Sequence, residues 1–280
     1  MGRTVSHRDE LLGGSRVLTY LLLLVLLVIF AFPLYAFLIT SFKNNIDIWV
    51  RPLKWVFAPT LDNYREVLKN VPRPLFNSLV IVVSSMAIAF ALGLPCAYSL
   101  SFLPTKTKNN LAYWFFSQFI LPPMVIVVPF YIFTSQLNIR GSRVAVILAY
   151  VTFNLPLTVW MMKEFFEGLP HELDDAARVD GCSRLQTFIR IALPLARPGL
   201  GVTATICFMF SWNEYMYAAI LSNDRTATLP LLFGLYYRQY EVSWGNIAAM
   251  GVLTALPVVV FGVLMQKNLA RGLTLGAVKS

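Results

Sequence analysis

Residues 17–40 read VLTYLLLLVLLVIFAFPLYAFLIT, a run without a single Asp, Glu, Lys or Arg. A helix rises about 1.5 Å per residue, so this run is long enough to cross a hydrocarbon core of about 30 Å. It is apolar on every side, so no face of it suits water, and it predicts a helix surrounded by lipid. Basic residues precede it, as they would a signal peptide. The run is longer than an h-region of about 7–15 residues, and no clear small-residue cleavage pattern follows. It reads as an uncleaved anchor.

Working outward, five more apolar runs follow: 74–105 with its apolar heart at 79–100, 109–139, 144–162, 199–221, and 242–266. The predicted fold is all-α and integral to the membrane, with six transmembrane helices. Composition agrees: 57% of the 280 residues are hydrophobic and 13% charged, against about 25% charged in soluble domains. Pro33, Pro95, Pro122, Pro123, Pro129, Pro156 and Pro257 fall inside these runs. Membrane helices tolerate proline because neighbours recapture the freed backbone groups, and kinked helices suit a bundle that rearranges.

The net charge of +9 does not point to nucleic acid, because Lys and Arg are dispersed between the apolar runs, where they anchor at headgroups. With the N-terminus inside, inner segments carry 13 Lys/Arg and outer segments 10, which favours that orientation by a small margin. Cys96, Cys182 and Cys207 have no metal-site spacing, and none falls in an outer loop, so neither a disulfide nor a metal is expected. His7 and His171 lie far apart in polar stretches.

The longest inner polar segment, 163–198, carries the functional signal. Pro170 suits a helix first turn, and Glu172, Asp174 and Asp175 favour the positive end of the helix dipole there. Leu173, Ala176 and Ala177 form a small apolar patch offered to something outside the bilayer. Gly181 stops the helix as a left-handed cap. Ser183-Arg184-Leu185-Gln186 is a capping box that starts a second helix, expected to end at Pro194. The unit is helix–Gly–helix.

In that unit, Asp175-Ala176-Ala177, three residues, Gly181, nine residues and Ile191-Ala192-Leu193-Pro194 resembles the EAA signature of ABC importer permeases. Every spacing matches; Asp175 stands where the family has Glu. Thr60-Leu61-Asp62-Asn63-Tyr64, Asn77-Ser78, Trp212-Asn213-Glu214 and Thr228-Leu229-Pro230 also resemble family landmarks. The end, Arg271-Gly272-Leu273-Thr274-Leu275-Gly276-Ala277-Val278-Lys279, is similar to the tail of the smaller permease of maltose-type importers.

The resemblance implies that the loop is a cytoplasmic coupling element docking on an ATPase, which puts both termini inside the cell. Residues 1–16 are then a cytoplasmic tail, 17–280 the membrane domain, 163–198 the coupling loop and 267–280 a flexible C-terminal tail. Coupling would rest on Glu172, Asp175, Ala176, Ala177, Asp180, Gly181, Ile191, Leu193 and Pro194. The tail would contact the ATPase through Gly272, Leu273, Thr274, Gly276 and Lys279. Implied partners are a second related permease in a heterodimer, two ATPase subunits, an extracytoplasmic solute-binding protein and lipid. The implied solute is a sugar, with glycerol phosphate or another polyol as the alternative. The implied location is the inner (cytoplasmic) membrane of a bacterium or archaeon.

No G-x-x-x-x-G-K-[ST] loop is present, so the chain itself should bind no cofactor, leaving ATP and Mg to the ATPase subunits. Glu214 is the only charged residue inside the six runs. Such a residue faces a cavity or a partner, so Glu214, Asn213, Trp212 and Asn154 are candidates for the solute path, with interhelical bonding as the competing role for the two asparagines. In the outer loop, Tyr236, Tyr237, Tyr240 and Trp244 suit either a binding-protein contact, as the resemblance implies, or an interfacial aromatic belt. A secondary transporter would need paired ionisable groups, and an enzyme a convergent catalytic set. The runs supply neither.

Overall fold

The computed structural model describes residues 7–52, 54–170, 172–237 and 242–277. Its helices are α1 (His7–Thr40), α2 (Asn45–Trp49), α3 (Asp62–Leu68), α4 (Pro72–Ser101), α5 (Thr105–Ile120), α6 (Pro123–Gln136) and α7 (Arg143–Glu167). They continue with α8 (Glu172–Val179), α9 (Arg184–Thr187), a π turn (Phe188–Ala192), α10 (Leu193–Leu195), α11 (Arg197–Asn213) and α12 (Met216–Leu221). A 3-10 turn (Leu229–Leu232), α13 (Phe233–Tyr236) and α14 (Trp244–Ala277) complete the order. Among the described residues there is no strand, only an isolated bridge between Tyr237 and Val242. Four stretches are long and apolar enough to cross a membrane: Leu18–Thr40, Pro72–Ser101, Arg143–Glu167 and Trp244–Gln266. The number rises to six if each of two sharply bent helix pairs is one span.

The chain divides into two compact units. In the first, residues 1–67 with 236–252, every large side chain from Leu18 to Leu34 is at least half exposed. Such a helix has lipid as its solvent. Its end is fastened by the Thr60–Tyr64 landmark. Asn63 donates from Nδ2 to the carbonyls of Ser41 (2.9 Å) and Lys43 (2.8 Å), and the Tyr64 hydroxyl meets Ser41 Oγ at 2.7 Å. Gly245 lies so close that a Cβ there would sit 2.5 Å from Asn63 Oδ1.

The second unit, residues 68–235 with 253–280, is built on α4 against α7. The buried face of α4 repeats every three or four residues: Ser78, Ile81, Val82, Ser85, Ala89, Gly93, Ala97 and Leu100. Small residues let membrane helices approach closely, and a Cβ on Gly93 would stand 2.9 Å from Thr158 Cγ2 of α7. Asn154, fully buried, donates to Ser211 Oγ of α11 at 2.8 Å and to Ser85 Oγ of α4 at 3.4 Å. Two landmarks lock together here. Asn77 Nδ2 donates to the carbonyls of Arg225 and Ala227, Arg143 Nε donates to Asn77 Oδ1, and the Leu229 N–H donates to Ser78 Oγ.

Two expected continuous elements are broken, and one expected stop is passed. The run 109–139 is two helices, α5 and α6, bent by 82°. A residue before proline is pushed out of the α region; Leu121 and Pro122 are both extended, with ψ of 129° and 133°, and Pro123 opens α6. The run 199–221 is broken at Glu214, whose ψ of 123° ends α11 before α12 begins. The loop's second helix does not end at Pro194. The π turn before it lets the Leu193 N–H reach back to the Phe188 carbonyl, widening the helix where the proline ring would otherwise strike the preceding turn. Helix persists to Leu195, and the chain then bends by 77° into α11. Residues 267–277 continue α14 as helix through Gly272 and Gly276.

Gly199, near the start of α11, is in tight contact with α7: a Cβ there would lie 2.3 Å from Cγ of Phe165. Gly199→Ala is expected to destabilise the protein by about 1–3 kcal/mol, the usual cost of overpacking. It should appear as a lower melting temperature in detergent that Phe165→Leu partly restores. An unchanged melting temperature would show that the ring moves aside freely.

Candidate functional site

The loop between α7 and α11 is held by a buried apolar cluster. Leu94 and Ala97 of α4, Met162 and Phe166 of α7, and Phe188, Ala192 and Ala196 of the loop make its centre. Tyr98 sits among three rings, with centroids 5.0 Å from Phe102, 5.5 Å from Phe166 and 5.1 Å from Phe188. Its hydroxyl donates to Asp174 Oδ1 at 2.6 Å. One side chain of α4 thus touches both α8 and the π turn. Beside the cluster, buried Lys163 pairs with Glu164 (2.8 Å) and Glu167 (3.1 Å), and Lys108 of α5 also pairs with Glu167. These pairs tie the end of α7 to α5.

The turn between α8 and α9 forms as its residues dictate. Gly181 has φ +84°; its N–H donates to the Arg178 carbonyl (3.0 Å), and the Cys182 N–H donates to the Ala177 carbonyl (2.9 Å). That pair of bonds is a Schellman cap. The capping box is complete: Ser183 Oγ accepts from the Gln186 N–H, and Gln186 Oε1 accepts from the Ser183 N–H.

The predicted coupling residues divide into two sets. Glu172, Asp175, Ala176 and Asp180 are exposed, and so are Leu173 and Val179. Ala177 is 3% exposed and faces this chain, so it is not part of the outward patch. The helix turns Leu173, Ala176 and Val179 outward instead. Ile191, Leu193 and Pro194 are half-buried, and Leu193 packs on the cluster.

The solute-path candidates also separate. Trp212 is buried, and its indole N–H donates to the Thr254 carbonyl at 3.0 Å. Asn154 makes the helix-to-helix bonds described above. Asn213 is exposed and donates to the Met209 carbonyl of its own helix, not to another helix. Glu214 is half-buried and lines a cavity of about 310 Å³ with Phe119, Pro122, Phe153, Phe210 and Tyr217. Its Oε1 accepts from the Tyr217 N–H at 2.7 Å, capping α12. This cavity lies at both helix breaks, Leu121–Pro122 and Glu214. Of the aromatic outer-loop residues, Tyr236 is buried, Tyr237 and Trp244 are exposed, and Tyr240 lies outside the described residues, as does Lys279 at the C-terminal end.

Residues 89–275 match the family model of the binding-protein-dependent transport system inner membrane component. The chain belongs to this family. The permease is 34% identical to the inner membrane ABC transporter permease protein YcjP of Escherichia coli, over 95% of this chain and 97% of that protein. It is 30% identical to the trehalose/maltose transport system permease protein MalG of Thermococcus litoralis, over 97% and 99%. Its fold matches a chain of a bacterial ABC transporter involved in the import of the acidic polysaccharide alginate, with a TM-score of 0.74 at 19% identity, covering 95% of this chain and 99% of that one. It is thus an all-α membrane permease subunit of an ABC importer.

Sequence reasoning did not single out Tyr98, Phe166, Lys163 or Glu167. The available signal was their position. Tyr98 and Phe166 lie near the ends of apolar runs next to the polar loop, where an aromatic ring is read first as part of the interfacial belt. Tyr98→Phe keeps the ring and removes the hydroxyl. The lost bond to Asp174 is worth about 0.5–1.5 kcal/mol. Hydrogen exchange should therefore speed up severalfold in Glu172–Val179 and stay unchanged in α7. Unaltered exchange in α8 would show that the bond does not hold that helix.

Proposed function

We propose that this permease forms half of the translocation path for a sugar, paired with a second homologous permease, and that the 163–198 loop couples it to an ATPase. The observation that carries this reading is the outward face of α8. Leu173, Ala176 and Val179 are exposed on a helix that the Tyr98–Asp174 hydrogen bond fastens to α4 and whose Ala177 is buried. An exposed apolar patch on a well-anchored polar loop is built to meet a protein surface. In this reading the loop and both termini lie in the cytoplasm, and two ATPase subunits bind ATP and Mg. An extracytoplasmic binding protein delivers the solute near Tyr237 and Trp244. The permease itself is not an enzyme. The relative that transports trehalose and maltose supports a sugar as the solute.

Ala176→Trp should block the close approach of an ATPase, leaving insertion normal while uptake and transport-linked ATP hydrolysis fall together. Gly181→Pro should do the same by a different route, since proline cannot take φ +84° or donate the bond to Arg178. Purified alone, the permease should turn over no ATP. Full uptake in both variants would remove the loop from the coupling path.

Glu214 tests the solute path. Glu214→Gln keeps an acceptor for the Tyr217 N–H, so stability should hold and uptake should fall modestly. Glu214→Leu removes the cap, at about 0.5–2 kcal/mol, and any bond to a solute hydroxyl. If the cavity is on the path, uptake should fall at least tenfold beyond the loss in complex yield. Uptake that follows yield alone would make Glu214 a helix cap and nothing more.

A further inference from the structure

A second cavity, of about 250 Å³, lies between the end of α4 and the loop helices. Its two sides differ in chemistry. Pro95 and Tyr98 of α4 and Phe102 just past its end, with Leu185 of α9, give an apolar wall, and Arg178 and Arg184 supply two guanidinium groups. Both arginines are exposed, and among the described residues neither has a carboxylate within ion-pair distance. The acid beside the cavity, Asp174, already accepts the Tyr98 hydroxyl. Leu185 is 64% exposed and Phe102 40% exposed, so the apolar wall opens outward.

The cavity lies at the end of a helix long and apolar enough to cross the membrane. α4 is one of the stretches able to cross the membrane, and it ends at Ser101, so Phe102 stands where apolar helix gives way to polar loop. A phospholipid places its phosphate at that depth and its acyl chains against the apolar side. Guanidinium groups suit phosphate because their fork of N–H donors matches its oxygens. Basic pockets beside membrane helices take anionic headgroups for this reason. A soluble phosphate would use the arginines and leave the wall of Phe102 and Leu185 without purpose.

We propose that Arg178 and Arg184, beside the wall of Phe102 and Leu185, form a binding site for an anionic phospholipid. The site joins the loop to the bilayer and does not require that the loop dock on an ATPase. The test is native mass spectrometry of the assembled transporter, titrated with phosphatidylglycerol or phosphatidylcholine. The wild-type complex should retain phosphatidylglycerol in preference to phosphatidylcholine. Arg178→Gln with Arg184→Gln should lower that retention about tenfold, near the loss of one charge-assisted contact. Arg178→Lys with Arg184→Lys keeps the charge and loses the fork, so its retention should fall between that of the wild type and that of the glutamine pair, and Leu185→Gln alone should lower retention severalfold. The last two variants decide the matter if the glutamine pair fails to assemble. Equal retention of both lipids, or retention unchanged in the glutamine pair and in Leu185→Gln, would overturn the proposal. So would full displacement of the lipid by millimolar inorganic phosphate, which would mark a site for the free anion. Loss of the ATPase from the glutamine pair with lipid retention unchanged would assign the arginines to an acidic protein surface and overturn it as well.

Discussion

A polar loop can transmit force to membrane helices only if something stiff joins them, and here the joint is the packing of Tyr98, Phe166 and Phe188. The rings meet at 5.0–6.2 Å between centroids along with Phe102. Leu94, Ala97 and Met162 lie beneath them. Packed apolar interiors are dense and resist compression. A load on α8 therefore passes to α4 through Tyr98, and a load on the π turn passes to α7 through Phe166. Without this cluster, α8 and α9 would be two short helices on a flexible tether, since helices of such length are not stable by themselves.

The bundle beyond that joint combines close packing with planned interruptions. Gly93 and Gly199 bring backbone against Thr158 and Phe165 with no room for a Cβ, which fixes α7 between α4 and α11. The interruptions come where the chain loses a backbone donor or is driven extended, at Leu121–Pro122 and at Glu214. Non-helical backbone at membrane depth is tolerated where it lines a cavity or is buried in protein. Both interruptions border the same cavity, so the cost of each is met at one place.

Much of this was legible in the sequence because it rests on local chemistry. Four of the apolar runs, the glycine stop at Gly181 and the capping box at Ser183 each depend on a few adjacent residues, and each formed as read. The pairings of Asn77 with Arg225 and of Asn63 with Ser41 span long stretches of chain; the motifs were visible but their partners were not. Helix breaks inside apolar runs were hidden because hydropathy does not register backbone direction. Pro122–Pro123 marked a kink, yet nothing in the sequence set it at 82°. Pro194 shows the reverse error. Proline is read as a terminator, but a π turn one step earlier accommodates its ring, and the helix passes through.

Ala177 carries the most instructive correction. Both alanines of the Asp175-Ala176-Ala177 signature look interchangeable in sequence, and an i, i+3, i+4 pattern with Leu173 places them on one patch. The structure gives them opposite duties. Ala176 faces out, while Ala177 is buried and its carbonyl accepts the Cys182 N–H that closes the turn. A small residue at 177 is required because α8 lies close against its own chain, whatever binds on the outer face. The spacing from Ala177 through Gly181 to Ile191 is then an internal geometric constraint. It sets the cap after α8, the start of α9 and the π turn in the one register that lets Phe188 reach Tyr98. The motif thus defines a shape first, and the outward surface of Leu173, Ala176 and Val179 is what that shape presents.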